Sequence, residues 1–155
     1  MGGVVLKQMS FVLPEIDRKA TQLRVEQHLE RYRLFKYLAF EEREASITAS
    51  SEIRYHGPTN QTSDQTSNIA TYNVDQQAFR KNFCSRVERA VRGLPEKEQQ
   101  LIKERYMTND AEYITDTDVY MNMEISHVTY SKIRWKAFYR LALNLNIIVT
   151  KEEYV

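Results

Sequence analysis

The stretch Thr115–Leu145, TDTDVYMNMEISHVTYSKIRWKAFYRLALNL, decides the fold. Thr115 followed three residues later by Asp118 has the spacing of a capping box, a hydroxyl and an acid that each satisfy an orphan N–H at a helix start. It predicts a short helix carrying Val119, Tyr120 and Met123. That helix must stop early, because Ser126 is a second N-cap candidate only a few residues on. From Ser126 the chain runs to Leu145 with neither Gly nor Pro, about 30 Å of helix. A short helix, a tight turn at Met123-Glu124-Ile125 and a longer capped helix form the ground plan of a helix-turn-helix, whose second helix presents its first turns to the DNA major groove.

Charge sharpens this expectation. The chain holds 22 Lys and Arg against 21 Asp and Glu, a net charge of +1, so nothing global points to nucleic acid, membrane or an acidic substrate. Locally, Lys132, Arg134, Lys136 and Arg140 lie between Ser126 and Leu145 with no acid among them. At 100° per residue, Tyr130, Ile133, Ala137 and Leu141 share the core side of this helix, while Val128, Lys132, Trp135 and Tyr139 oppose it, flanked by Ser131 and Lys136. The candidate DNA-binding residues are Ser126, His127, Val128, Ser131, Lys132, Trp135 and Lys136. The bland reading of the cations is a solvated face. Trp135 on the polar side has three readings: an anchor for a protein partner, a contact along the DNA backbone, or a ring covered by the N-terminal helix.

Working outward, Gly93-Leu94-Pro95 ends one helix and opens another, with Gly suited to a left-handed stop and Pro to a first turn. The second runs from Glu96 to about Tyr106. The first begins near Asp75, capped by Asn73 or Asp75, with Phe79, Phe83, Val87, Ala90 and Leu94 on one face. Before it, 45–74 is rich in Ser, Thr, Asn and Gln around His56-Gly57-Pro58 and reads as a flexible polar linker. Pro14 to about Arg43 reads as one long amphipathic helix with Leu23, Leu29, Tyr32, Phe35, Leu38 and Ala39 near helical spacing. Ile147, Ile148 and Val149 form an apolar tail that packs back on the bundle. The expected organisation is all-α: an N-terminal helical segment over 1–44, the linker over 45–74, and a helix-turn-helix domain over 75–155.

Four Gly leave little room for a phosphate-binding loop, and no Ser-His-Asp set or nucleotide fingerprint occurs, so no enzyme and no cofactor are expected. The single cysteine, Cys84, cannot pair internally and reads as a buried, inert thiol in a reducing compartment, by default the cytoplasm. His28, His56 and His127 lack metal-ligand spacing, and Asp116 and Asp118 read as capping acids rather than a catalytic pair. No run approaches the roughly 20 apolar residues of a membrane span, and Met9 is an alternative start. For Phe79, Phe83, Tyr130, Phe138 and Tyr139, core packing is favoured over base stacking.

Leu13-Pro14-Glu15-Ile16-Asp17, Val87-Glu88-Arg89-Ala90-Val91, Leu94-Pro95-Glu96-Lys97-Glu98, Arg105-Tyr106, Ile125-Ser126, Thr129-Tyr130 and Lys136 to Ala142 (KAFYRLA) resemble the ArpU-type phage transcriptional regulators over nearly the whole chain. The C-terminal half is also similar to region 4 of sigma factors, through Leu94-Pro95-Glu96 and the helix ending at Arg105-Tyr106. The resemblance implies a phage or prophage protein that binds double-stranded DNA and controls transcription of late genes. Two positions depart from the pattern. Glu124 stands where the family carries Gly, and a left-handed residue other than Gly costs about 1 kcal/mol or more. Trp135 stands where a basic residue is expected. The alternative is a protein-interaction module binding RNA polymerase or another regulator, and a further one is a homodimer paired through the N-terminal helix.

Overall fold

The computed structural model describes residues 15–51 and 64–154 of the chain. Five α-helices carry the fold: α1 (Arg18–Ser51), α2 (Asp64–Arg92), α3 (Glu96–Ile102), α4 (Asp116–Asn122) and α5 (His127–Asn144). A π-helical turn, Lys103–Met107, continues α3, and a 3-10 turn, Ala111–Tyr113, leads towards α4. No strand occurs among the described residues beyond one isolated bridge, Ile16 with Thr150. No helix is long and apolar enough to cross a membrane among the described residues.

The start of α1 differs from the expected Pro14, which lies outside the described residues. Asp17 is the cap, its Oδ1 accepting from Ala20 N–H at 3.0 Å. At its other end α1 continues to Ser51, and α2 begins at Asp64, so helix enters the expected linker from both sides. Residues 52–63, His56 among them, lie outside the described residues, as does Met9. Asn73 and Asp75 are not caps; they sit inside α2. No Gly or Pro interrupts 64–92, and polar residues cost only a few tenths of a kcal/mol each in a helix, which packing against α1 outweighs. The left-handed stop expected at Gly93 is also absent, because no described glycine has positive φ. Pro95 supplies the break instead: it disfavours helical backbone at Leu94 and itself takes the N-cap position of α3 at φ −55° and ψ 153°.

The core is one continuous cluster. Val25, Leu29 and Tyr32 of α1 meet Cys84, Val87, Ala90 and Val91 of α2, Leu101 and Ile102 of α3, Val119 of α4, and Tyr130, Ala137, Phe138, Leu141 and Ala142 of α5. Leu23, Ala39 and Phe79, expected on buried faces, are exposed, and Phe35, Leu38 and Phe83 are only partly covered. The reason is geometric: periodicity marks a face, but burial needs a neighbour across it. Cys84 is buried as expected, burial pushes its thiol pKa up, and its Sγ lies 3.9 Å from the Tyr32 carbonyl.

The apolar tail does pack back. Thr21, fully buried, accepts from Val149 N–H at 3.1 Å and donates to Val149 O at 3.3 Å. Asp17 N–H donates to Val149 O and Lys151 N–H to Glu15 O, both at 2.9 Å. The start of α1 and the end of the chain are thereby stapled beside α5.

Candidate nucleic-acid interface

The capping box at the start of α4 is complete. Thr115 Oγ1 accepts from Asp118 N–H at 3.2 Å and Asp118 Oδ2 accepts from Thr115 N–H at 2.8 Å. Backbone bonds to Thr115 hold the Asp118 carboxyl below its usual range. At the other end of α4, Glu124 N–H donates to Met121 O and Ile125 N–H to Tyr120 O, each at 3.1 Å. This pair of bonds is a Schellman turn, and it requires the left-handed conformation that Glu124 adopts at φ 56°. The turn is thus formed in full despite the missing glycine. Ser126 then caps α5, its Oγ accepting from Thr129 N–H at 3.1 Å while donating to Thr129 Oγ1 at 3.0 Å.

The first turns of α5 point outward. His127, Val128, Lys132 and Lys136 are exposed, and Val128 is unusual as a bare aliphatic side chain on a helix start. Ser131 is partly covered and donates to the His127 carbonyl at 3.1 Å, which leaves its lone pairs to accept. The His127 ring leans towards Tyr120, with centroids 6.4 Å apart. Ser126, His127, Val128, Ser131, Lys132 and Lys136 therefore share the beginning and outer side of one helix. Trp135 is set apart from them. It is half-buried, stacked 6.0 Å from Tyr139 and covered by the Arg18 guanidinium 4.5 Å above its ring. Arg18 is the first residue of α1, so the N-terminal helix covers part of this ring.

The four cations of α5 divide into two kinds. Arg134 pairs with Asp116 at 3.0 Å and Arg140 with Glu98 at 2.8 Å. Asp116 also receives Arg105 at 2.9 Å and the Tyr130 hydroxyl at 2.7 Å. Burial alone raises the Asp116 carboxyl pKa, but the Tyr130 hydroxyl and the two guanidiniums outweigh it and hold the pKa below its ordinary value. Burial and the same carboxylate push the Tyr130 phenol up. Asp116 is thus a structural hub rather than a simple cap. Lys132 and Lys136 remain, one turn apart, exposed and without an ion pair among the described residues. The sequence did hold a signal for this division: Arg134 follows Tyr130 by one turn and so shares its inward face.

The chain is similar to a phage-related protein. The relative, from Listeria innocua, is named an uncharacterized phage-related protein and is 28% identical over 141 residues, covering 91% of this chain and 97% of its own length. No family profile and no solved structure matches the chain.

Proposed function

We propose that the protein is a sequence-specific DNA-binding regulator of phage or prophage transcription, acting on late genes in the bacterial cytoplasm, with α5 lying in the major groove. The observation that carries the reading is the capped α4–turn–α5 unit, whose outer face keeps Lys132 and Lys136 without an ion pair among the described residues while Arg134 and Arg140 pair with Asp116 and Glu98. The phage-related relative and the resemblance to ArpU-type regulators and sigma region 4 support it.

In this reading Lys132, Lys136 and the N-terminal turn of α5 hold phosphates and set the register. The base-edge readers are His127 as a donor, Ser131 as an acceptor from an exocyclic amino group, and Val128 against a thymine methyl. Trp135 acts indirectly, by fixing α5 beneath Arg18.

Selection from random duplexes with the full chain is expected to enrich one motif. On that motif, Lys132→Ala with Lys136→Ala lowers affinity and reduces the salt slope by about 1.8, two phosphates at roughly 0.9 each. No enrichment, or an unchanged slope in the double variant, removes α5 from DNA recognition. A second reading, docking on RNA polymerase, is favoured by Tyr113 and Met121, both well exposed around the start of the helix-turn-helix. Capture of polymerase from DNA-free lysate, lost on Met121→Asp, separates it from the first.

A further inference from the structure

The far ends of α1 and α2 leave the core behind. Residues buried from α1 end at Tyr32 and those from α2 begin at Cys84, and none of the described residues in 33–48 or 71–83 is fully buried. The two helices run antiparallel there, tied by an Arg80–Glu42 ion pair and by rings. His28 stacks on Phe83 at 4.4 Å, Phe83 meets Phe35 at 5.1 Å, and Phe35 meets Phe79 at 6.1 Å. Tyr72, two turns before Phe79, extends this seam along the same side of α2, and Leu38, one turn after Phe35, extends it along α1. Phe79 and Tyr72 are each more than half exposed.

A buried aromatic covers about 150–250 Å², so two rings more than half bare and three side chains partly bare present on the order of 300–400 Å² of apolar strip. A strip of that size equals the largest apolar patch of a typical monomer, about 300–600 Å², and such patches are often functional. A small specific interface takes roughly 600–800 Å² from each partner, a little over half of it apolar, so the strip matches what one needs.

Charge says which partner. At the core end of the seam stand Arg31, whose guanidinium lies 6.0 Å from the Phe83 ring, and Arg86, one turn after Phe83. At the far end stand Glu42 and Asp75. Arg31, Arg86 and Asp75 are exposed and make no ion pair among the described residues. A strip basic at one end and acidic at the other complements itself when turned end for end. We propose that the seam is a homodimer interface: two α1–α2 hairpins pack face to face and antiparallel about a two-fold axis near Phe79. Asp75 of one copy then meets Arg86 of the other, and a four-helix bundle closes over the rings. The DNA-binding reading is not needed for this step.

Sedimentation equilibrium of the full chain is expected to give twice 18.4 kDa at micromolar concentrations. Each of Asp75→Arg and Arg86→Asp places like charges together twice per dimer and raises the dissociation constant by about tenfold or more. The double variant carrying both restores dimerisation, because a two-fold contact re-forms with its signs exchanged. Phe79→Glu gives a monomer with unchanged helical circular dichroism, and if it unfolds instead, the charge exchange still decides. A wild-type chain of 18.4 kDa at every concentration, which is also the outcome if a different protein covers the seam, overturns the proposal. So does a double variant as weak as either single one. Loss of dimerisation with intact half-site binding by the Phe79 variant separates this inference from the role of α5.

Discussion

Glu124 and Asn146 are the two described residues other than Gly with positive φ, both at 56°, and both occupy the same position in the same kind of turn. After α5, Asn146 N–H donates to Leu143 O and Ile147 N–H to Ala142 O, repeating the bonds that close α4. Asn tolerates the left-handed region, since its short side chain bonds locally; Glu has no such compensation. Removing the Cβ in Glu124→Gly relieves about 1–2 kcal/mol of backbone strain, offset in part by the larger unfolded-state entropy of Gly. A net gain of about 0.5–1 kcal/mol in urea unfolding is expected. A loss of stability would mean that the Glu124 side chain holds the turn by a contact stronger than the strain.

Among elements, what was legible in the sequence was what is local. The capping box of α4, the Ser126 cap of α5 and the left-handed turn between them are set by residues within a few positions of one another, so reading along the chain finds them. The destinations of Arg134 and Arg140 were not legible in the same way. Their partners come from outside α5, Asp116 at the start of α4 and Glu98 on α3, so the cations of an acid-free helix divide, among the described residues, into paired and free only once those acids are placed against it. Leu23 and Phe79 failed for the related reason that burial depends on what lies across a face: both stay more than half exposed, and Phe79 meets Phe35 of α1 only edge-on. The Asp116 hub makes a testable element: Asp116→Asn keeps the shape but withdraws the charge that joins α4 to Arg105 before it and Arg134 after it. With both guanidiniums partly solvated, a loss of about 1–2 kcal/mol at pH 7 is expected. Because the folded-state pKa of Asp116 is lowered, its stabilisation is fully present above the ordinary carboxylate range and is lost as pH falls from that range through the lowered folded value. The gap between wild type and variant should therefore begin to narrow as pH falls below about 4; a gap that stays constant however far the pH is lowered would refer the effect to packing rather than charge.

The whole molecule closes on itself through α1, which carries the Val149 staple at its start, the Arg18 cover over Trp135, and the ring seam further along. One group on this helix ties stability to pH near neutrality. His28 lies against Phe83, and the charged groups facing it are Arg31 from its own helix and Arg86 from α2. Burial lowers its pKa and both guanidiniums lower it further, so the folded protein prefers the neutral ring more strongly than the unfolded chain does. The sign follows from proton uptake: below the ordinary value of about 6.5 the unfolded chain binds the proton first, so the stabilisation is complete above that pH and is lost as pH falls through the lowered folded value. Glu88 and Asp116 are lowered as well, but from the carboxylate range, and Tyr106 is pushed up to about 12, so none of these titrates in the same window. The melting temperature is therefore expected to fall between pH 7.5 and 5.5, and His28→Gln, which keeps a polar side chain but cannot take the proton, should flatten that slope. An equal slope in wild type and variant would mean that the Arg31–His28–Arg86 cluster does not govern the acid sensitivity of the fold. A steeper one would mean that neutral His28 protects another titrating group.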